Sequence, residues 1–451
     1  MRQSLKISNG VKKFQIKSIK AREILDSRGN PTVEVELKTN FGKFKSSVPS
    51  GVSTGKYEAV VLEIKKAIEN IEKIITPVLE KEDLTDQKRV DELRSSSPFA
   101  NARAGDKSKD SSSPFAGARV IDEILIQLDA TKNKSRLGAN AILPVSMAVC
   151  RAAAAAKNIP LYQYISQLAE LRTPIVLPKP SFNMIEGGKH APSTISGQAG
   201  LAFQEFMLVP QKETFKDNFQ IGKEVYNSLK KILGDKFGKK NIGLSREGAF
   251  TAPIGKITDA FDLILTAAGK AGHKDNIKFA IDAAASEFYE DGNYKIDGKT
   301  TSGKELLEFY KDLTGKYPII LIEDPFYEED FGGFAELKKQ SEGSVLIFGD
   351  DLTVSSIERI NLAERNNSCS GLILKPNQIG TVSETIEAAK LAKSFGWKIM
   401  VANRAGETKD DFIADLAVGI GAEFIKSGAP FPKERMVKYN RLVKIEQELH
   451  A

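Results

Sequence analysis

The chain is poor in the residues that build disulfide and zinc-thiolate sites. It has two cysteines among 451 residues, Cys150 and Cys369, and they lie far apart in the sequence. Two isolated cysteines argue against a disulfide scaffold and lack the clustered spacing of a zinc finger. They are typical of free thiols in a reducing compartment, so we expect a cytoplasmic protein.

Long hydrophobic runs are also missing. The first residues, 1–6, do not have the apolar core of a signal peptide. The longest apolar stretch runs from Ala141 to Cys150, contains Pro144 and ends at Arg151. A stretch of that length is too short to cross a bilayer. The sequence therefore predicts no membrane span.

The excess of basic over acidic residues is small. The chain has 65 basic and 59 acidic residues, which gives a net charge of +6. The densest basic spot, residues 236–240, is interrupted by Phe237 and Gly238. A solvated surface explains this spot better than a nucleic-acid-binding face does. We expect no nucleic-acid partner, although the basic balance suits an anionic metabolite.

Complete nucleotide-binding motifs are absent from the glycine-rich segments. The segment from Ser50 to Lys56 is one residue short of a P-loop, and Tyr57 stands where Ser or Thr is required. Gly419-Ile420-Gly421 lacks the third glycine of a dinucleotide fingerprint. The first segment is instead a glycine–serine loop that could close over a ligand.

The composition that is present, 41% hydrophobic and 27% charged, is that of a globular protein with a sizeable core. Residues 15–65 alternate like two antiparallel strands, and helices are predicted over 58–83, about 120–129 and 139–157. We interpret residues 1–170 as an N-terminal α+β domain. From Pro178 strands alternate with helices, which predicts a barrel over 171–451.

A serine-rich segment at about 94–119 interrupts the first domain. The sequence Ser-Ser-Ser-Pro-Phe-Ala occurs at 95–100 and again at 111–116. Its composition favours a mobile inserted loop, and a phosphorylation or partner site is the open alternative.

Six apolar runs in the second half each stop at a polar residue. Parallel strands that end this way place their polar residues on one face, and in a (β/α)8 barrel that face carries catalysis. The residues at the six ends are Asp282, Glu323, Asp350, Lys375, Asn403 (followed by Arg404) and Lys426.

Three of these ends are carboxylates on successive predicted strands. Asp282, Glu323 and Asp350 would repel one another unless a cation lies between them, and hard oxygen ligands favour Mg2+. The alternative is that each acid caps the helix after its strand. Lys375 could act as a base if burial or nearby metal charge lowers its pKa. The alternative for Lys375 and Lys426 is a salt bridge to a barrel acid.

His190 is one of three histidines, and it follows Gly187-Gly188-Lys189 in a loop-like context. The same segment continues to Gln204-Glu205-Phe206, another acid beside an apolar run. We therefore include His190 among the candidate functional residues.

Several segments together resemble the enolase family over nearly the whole chain. The resemblance implies an N-terminal α+β domain followed by an enolase-type (β/α)8 barrel. It implies a hydro-lyase that converts 2-phosphoglycerate to phosphoenolpyruvate in glycolysis and gluconeogenesis, with two Mg2+ ions per active site. The segments are 24–32, 133–141, 322–326, 349–353, 374–380 and 425–430.

The resemblance also implies roles for individual residues. Asp282, Glu323 and Asp350 match ligands of the first metal, and Ser53 matches a ligand of the second. Lys375 matches the base and Lys426 the group that faces the enolate. Leaving-group protonation falls to Glu247 with Glu205, and Arg404 matches the phosphate-binding arginine. The implied substrate-binding residues are His190, Glu205, Arg404, Ala405, Lys426 and Ser53.

Three positions differ from the family pattern. Arg246 replaces an aspartate beside Glu247, and would lower the pKa of that acid unless its side chain points away. Asn403 replaces a histidine and cannot carry charge. Ala405 replaces a serine and lacks the hydroxyl that would contact phosphate. These differences leave two alternatives open: a related enzyme that abstracts an α-proton from another acid, and a non-catalytic binding protein. Members of the family are homodimers or octamers, and the sequence does not decide between these states.

Overall fold

The structure is a computed structural model that describes residues 14–51, 55–81, 117–170, 175–190 and 200–450. Ser53 and most of the serine-rich segment therefore lie outside the described residues. The residues Gly117 to Arg119 at the end of that segment form the beginning of a helix.

The N-terminal part contains a three-stranded antiparallel sheet packed against helices. Its strands are β1 (Ile16–Leu25), β2 (Pro31–Thr39) and β3 (Gly42–Ser47), in that order across the sheet. The two predicted strands are confirmed, and the third returns after the turn at 40–42. The helices are α1 (Ile64–Asn70), a π-helical turn (Ile71–Ile75), α2 (Thr76–Leu79), α3 (Gly117–Asp129), α4 (Ala139–Ala156) and α5 (Leu161–Ala169).

Helix α4 is the central helix of this part, and 15 of its 18 residues are buried. It continues through Pro144, although proline cannot donate the backbone hydrogen bond at that position. Among the described helices it alone is long and apolar enough to cross a membrane, but 83% of it is buried inside the protein. Its hydrophobicity is therefore accounted for by the core.

The second part is a closed eight-stranded barrel. The barrel strands are β4, β5, β8 and β12 to β16, and β16 pairs with β4 to close the ring. The strands in chain order are β4 (Lys179–Glu186), β5 (Glu205–Pro210), β6 (Gly243–Leu244), β7 (Phe250–Thr251), β8 (Ile277–Asp282), β9 (Tyr289–Glu290), β10 (Asn293–Ile296), β11 (Lys299–Thr301), β12 (Ile319–Glu323), β13 (Leu346–Gly349), β14 (Gly371–Leu374), β15 (Lys398–Ala402) and β16 (Phe424–Lys426).

The six predicted strands of the second half are present and pair in parallel, as expected. The predicted alternation of strand and helix from Pro178 is wrong at its beginning. Strand β5 runs antiparallel to both of its neighbours, β4 and β8. The connection from β4 to β5 spans residues 187–204, and its described residues contain the short 3-10 turn Gly188–His190 and no α-helix.

Helices surround the barrel, and several of them begin with side-chain caps. The Thr214 and Thr381 side chains each accept a backbone N–H of the first turn, and Ser302 forms a capping box with Glu305. These helices are α6 (Phe215–Phe237), α7 (Ile257–Lys270), α8 (Gly303–Lys316), α9 (Phe331–Gln340), α10 (Ile357–Arg365), α11 (Pro376–Ile379), α12 (Val382–Ser394), α13 (Phe412–Gly419) and α14 (Lys433–His450).

Two hydrophobic cores hold the strand ends in place. A large core lies between the sheets and the helices, and a smaller one fills the barrel interior. Phe348 points into the interior, and Gly371 on the neighbouring strand leaves space for its ring. Because interior side chains fill the barrel as a packed plug, functional groups are confined to its mouth.

Candidate active site

A row of four carboxylates crosses the barrel mouth. Glu186 of β4 is paired in register with Glu205 of β5, Glu205 with Asp282 of β8, and Asp282 with Glu323 of β12. Residues directly opposite on paired strands have side chains within contact distance. All four are buried. So many buried acids in one row require nearby positive charge.

Lys426, at the end of β16, supplies positive charge to three of these acids. Its Nζ lies 3.0 Å from Glu205 Oε2, 3.3 Å from Asp282 Oδ2, and 2.8 and 2.7 Å from the two oxygens of Glu323. Burial opposes the charged form, but the three carboxylates outweigh it and raise the pKa of Lys426 well above its usual value. Lys426 is therefore a fixed cation.

Lys375 and Asp350 form a second buried ion pair beside this row. The Lys375 ammonium donates to Asp350 Oδ2, and Gln378 Nε2 donates to the other oxygen at 2.9 Å. The sequence analysis expected a lowered pKa for Lys375. Burial does lower it, but among the protein groups the Asp350 carboxylate outweighs burial and the pKa is raised.

Two further acids, Asp324 and Asp351, lie close to Asp350. Asp324 accepts the backbone N–H of Asp350 at 2.9 Å and that of Asp351 at 2.7 Å. Burial and the charge of Asp350 raise the pKa of Asp351 to about 8. Asp324, Asp350 and Asp351 each offer an oxygen within 4.8 Å of the others, a distance at which one cation could hold them.

The three predicted metal ligands lie on neighbouring strand ends, but they bond to two different lysines. Asp282 and Glu323 bond Lys426, whereas Asp350 bonds Lys375. The donors are all carboxylate oxygens on neighbouring strand ends, and this donor set fits Mg2+ rather than zinc. The residues present are therefore suited to a hard divalent cation.

Glu205 and Glu247 lie on the other side of Lys426, and their pKa values are shifted in opposite directions. Burial raises the pKa of Glu205 to about 7 against the opposing effect of Lys426. Burial also raises the pKa of Glu247, but Arg435 and His190 outweigh it and the net shift is downward. Two coupled acids with separated pKa values are typical of proton-transfer sites.

Two amides hold Glu247 in position. Asn183 Nδ2 donates to Glu247 Oε2 at 3.2 Å, and Asn403 Nδ2 donates to the same oxygen at 3.0 Å. Asn403 thus keeps a hydrogen bond at the position where the family pattern has histidine.

The Arg246 side chain points away from Glu247, which is the case in which the sequence analysis expected no lowering of the Glu247 pKa. Arg246 is exposed, whereas Glu247 is buried. The cation with the largest effect on Glu247 is Arg435, a buried residue of α14. Arg435 donates to the carbonyl oxygens of Arg404 at 2.7 Å and Ala405 at 2.8 Å.

His190 is buried at the end of a short 3-10 turn, Gly188–His190. Its Nδ1 lies 3.6 Å from Glu186 Oε2 and 3.7 Å from Glu205 Oε1. Burial lowers the pKa of the ring, so His190 is neutral at pH 7. Glu186, His190 and Glu205 form the other group among the described residues whose ligand atoms lie within 4.8 Å of one another.

Arg404 presents both arms of its guanidinium to Glu58. The distances are 2.8 Å from Nη1 to Oε2 and 3.1 Å from Nη2 to Oε1. Glu58 follows the glycine–serine loop directly in sequence. Ser50, at the start of that loop, exchanges two backbone hydrogen bonds with Gly406 at 2.8 and 2.9 Å. Both ends of the loop are thus attached beside Arg404 and Ala405.

The structure brings most of the predicted residues to one mouth. It describes the three metal candidates, both lysines, both acids, His190, Arg404 and Ala405 there, and Ser53 alone lies outside the described residues. Sequence reasoning missed Glu186, although β4 ends in an acid as β8 and β12 do. Glu58 was also missed, although it follows the glycine–serine loop by two residues, and Arg435 was missed because its helix is far from the other site residues in sequence.

Comparisons with known proteins agree with this arrangement. The family model described as the enolase C-terminal TIM barrel domain matches residues 174–451. The model of the enolase N-terminal domain matches residues 16–96 and 112–165, so residues 97–111 lie outside the match. The enolase of Methanocaldococcus jannaschii is 43% identical over 449 residues, covering 97% of this chain and 96% of that protein. The enolase of Eimeria tenella is 42% identical over 464 residues, with the same two coverages. The chain belongs to the enolase family.

Proposed function

We propose that the protein dehydrates 2-phosphoglycerate to phosphoenolpyruvate and acts as a phosphopyruvate hydratase. The observation that carries the proposal is the arrangement of groups around Lys426. The Lys375–Asp350 pair lies on one side and the Glu205–Glu247 pair on the other. Removing a proton and expelling hydroxide from adjacent carbons needs a base and an acid on two sides of one substrate.

The enolase family implies Mg2+, and we propose two ions per site. Asp282, Glu323 and Asp350 would hold the first, and Ser53 would contribute to the second. Bound Mg2+ would neutralise the substrate carboxylate and stabilise the enolate charge that develops on it.

Lys375 is the proposed base. Lys375 is buried at the end of β14, and its Nζ donates a hydrogen bond to Asp350. A cation held by Asp350 would weaken the influence by which this carboxylate raises the pKa of Lys375. The amine can then take the proton α to the carboxylate, while Lys426 faces the negative charge that forms.

Glu205 is the proposed carrier of the proton for the leaving hydroxide. A pKa of about 7 allows it to hold a proton at neutral pH and still release it. Glu247 is held as a carboxylate by Arg435 and by the hydrogen bond from Asn403, and it would orient the leaving group beside Glu205. This exchanges the roles that the family resemblance suggested for the two residues.

Arg404 is the proposed phosphate ligand. Its planar fork already binds the two oxygens of Glu58, and phosphate oxygens suit the same geometry. Substrate binding would therefore replace the Glu58 carboxylate. His190 would contact the substrate from its loop, and Ala405 would line the pocket without a hydroxyl.

The remaining proposals concern organisation. We propose a cytoplasmic homo-oligomer, a dimer or an octamer, with a capping domain of residues 1–170 and a barrel domain of residues 171–451. The serine-rich insertion at about 94–119 has no role in the proposed chemistry.

A coupled assay of purified protein tests the function. Phosphoenolpyruvate should form from 2-phosphoglycerate in Mg2+, stop with EDTA and return when excess Mg2+ is added. Turnover of a non-phosphorylated hydroxy acid, with none of 2-phosphoglycerate, would favour the related-enzyme alternative. Mg2+ binding without turnover of any acid would favour a non-catalytic protein.

A further inference from the structure

Glu186 is a buried acid that the proposed mechanism leaves without a task. It is 2% exposed, ends β4, and is paired in register with Glu205. Lys426 bonds the other three acids of the row but records no bond with Glu186. Glu186 must therefore be stabilised by groups other than Lys426.

The two oxygens of Glu186 have different surroundings. Oε1 accepts a hydrogen bond from Asn183 Nδ2 at 2.7 Å, and the same amide nitrogen also reaches Glu247. Oε2 has no hydrogen-bond partner within the part of the chain that the structure describes. Burial and the neighbouring acids Glu247 and Glu205 raise the pKa of Glu186 well above its usual value. A hydrogen bond donated to the unpartnered oxygen would oppose that rise and stabilise the carboxylate, so the nearest polar neighbour of Oε2 is informative.

That neighbour is His190. Its Nδ1 also has no hydrogen-bond partner among the described residues, and it lies 3.6 Å from Glu186 Oε2. A movement of about 0.7 Å would bring the two atoms to an ordinary N–H···O distance. One bond would then satisfy both unpartnered groups.

We propose that Glu186 is a positioning residue that accepts a hydrogen bond from His190 Nδ1 and so fixes the ring tautomer. A neutral imidazole carries one proton, so a proton held on Nδ1 leaves Nε2 as the acceptor. The substrate or a water in the site would then meet an acceptor nitrogen on His190 in a fixed orientation. This inference rests on the proposed function only for its catalytic consequence.

Glu205 is the competing partner for Nδ1, because its Oε1 lies at 3.7 Å. Two observations favour Glu186. Glu205 already bonds Lys426 through Oε2, whereas Glu186 Oε2 is unpartnered. Glu186 also precedes His190 by four residues, so the two move with the same segment.

The three histidines make a direct test possible, because each has a different environment. His190 is buried beside Glu186, His450 is exposed, and His273 bonds Glu224 through Nε2 at 2.5 Å. Full-length protein labelled with 15N-histidine is freed of adventitious transition metals and returned to Mg2+. Long-range 1H–15N spectra then distinguish protonated from unprotonated ring nitrogens. His190→Ala assigns the signal.

The expected result is a protonated Nδ1 on His190 and a protonated Nε2 on His273. Glu186→Met, which has no acceptor, should move His190 toward the Nε2–H form and leave His273 unchanged. Glu224→Gln, the matched control, should affect His273 alone. Glu186→Gln keeps the shape and a polar group and serves if the methionine variant does not fold.

The inference is overturned if wild-type His190 is protonated on Nε2. It is also overturned if Glu205→Gln changes the tautomer and Glu186→Met does not. If the enzyme activity is confirmed, Glu186→Met should lower kcat/KM by about 10-fold to 100-fold, as loss of a carboxylate that orients a functional histidine does elsewhere. Because the spectra do not depend on turnover, failure of the proposed function would leave the tautomer result intact.

Discussion

Replacing Lys375 with alanine should stop removal of the substrate α-proton without dismantling the metal site. Asp350 would lose its ammonium partner but keep the Gln378 hydrogen bond at 2.9 Å. Its backbone N–H would remain bonded to Asp324. The affinity for Mg2+ should be unchanged or higher, because the site loses one positive charge beside a ligand.

The size of the effect follows from the role of a positioned base. Such a group typically contributes about 10²-fold to 10⁴-fold to the rate, equivalent to about 2.7–5.4 kcal/mol. The structure gives no replacement, since Lys426 is held by three carboxylates and its pKa is raised well above the usual value. We therefore expect a loss near the upper end of that range.

The assay follows exchange of the C2 proton of 2-phosphoglycerate in D2O by NMR, beside formation of phosphoenolpyruvate. Lys375→Ala should lose both exchange and product formation. Glu205→Gln is the matched variant on the acid side, and it should lose product formation but retain exchange. Exchange by Lys375→Ala at the wild-type rate would refute the assignment of the base. Loss of exchange in both variants would refute the separation of base and acid.

Two further predictions concern groups around the site, and a third concerns an ion pair between helix α4 and the barrel. Glu58→Gln should lower KM for 2-phosphoglycerate by about tenfold, near 1.4 kcal/mol, since Arg404 then binds phosphate without a competing carboxylate; an unchanged or higher KM in initial-rate measurements contradicts this. Arg246→Ala should leave kcat/KM within about twofold, because its side chain is exposed, and a larger loss would show that Arg246 does act on the neighbouring acid. Arg151 of α4 forms an ion pair with Asp410, with 2.8 Å between Nη2 and Oδ1. Arg151→Met should lower the free energy of unfolding by about 3 kcal/mol at pH 7, measured in guanidinium chloride. Burial raises the pKa of Asp410 but Arg151 outweighs it, so the net pKa lies below 3.8. The stabilisation is present above the unfolded pKa and is lost as pH falls through the folded one, so the two proteins should converge below about pH 4.

The strand ends were predictable because two local signals coincide there. A short apolar run such as 319–322 indicates a buried strand, and the polar residue after it marks the barrel mouth. The reversed direction of β5 was not predicted, although its sequence carries a sign of it: Glu205 precedes the apolar residues 206–210, whereas in the other strands the polar residue follows the apolar run. The acid at the mouth therefore lies at the beginning of β5.

The charges of the site were less predictable than its residues. Arg246 adjoins Glu247 in sequence yet faces solvent, while Arg435 reaches that acid from a helix 188 residues later. The pKa of Lys375 likewise depends on Asp350, which is a neighbour through the parallel barrel. A pKa shift depends on which charged groups are close in space. A single sequence does not show which residues far apart in the chain come close together in the fold.

Closure of the barrel has a consequence for biosynthesis. The acids of β5, β8 and β12 leave the ribosome well before Lys426, which lies 221 residues after Glu205 and 103 after Glu323. Until β16 pairs with β4, these carboxylates lack the lysine that bonds all three of them, and they are stabilised mainly by hydration or by protonation. An incomplete nascent barrel should therefore stay open and wet at its mouth. Pairing of β16 would then close the barrel and bring Lys426 to the acids of the site in the same step.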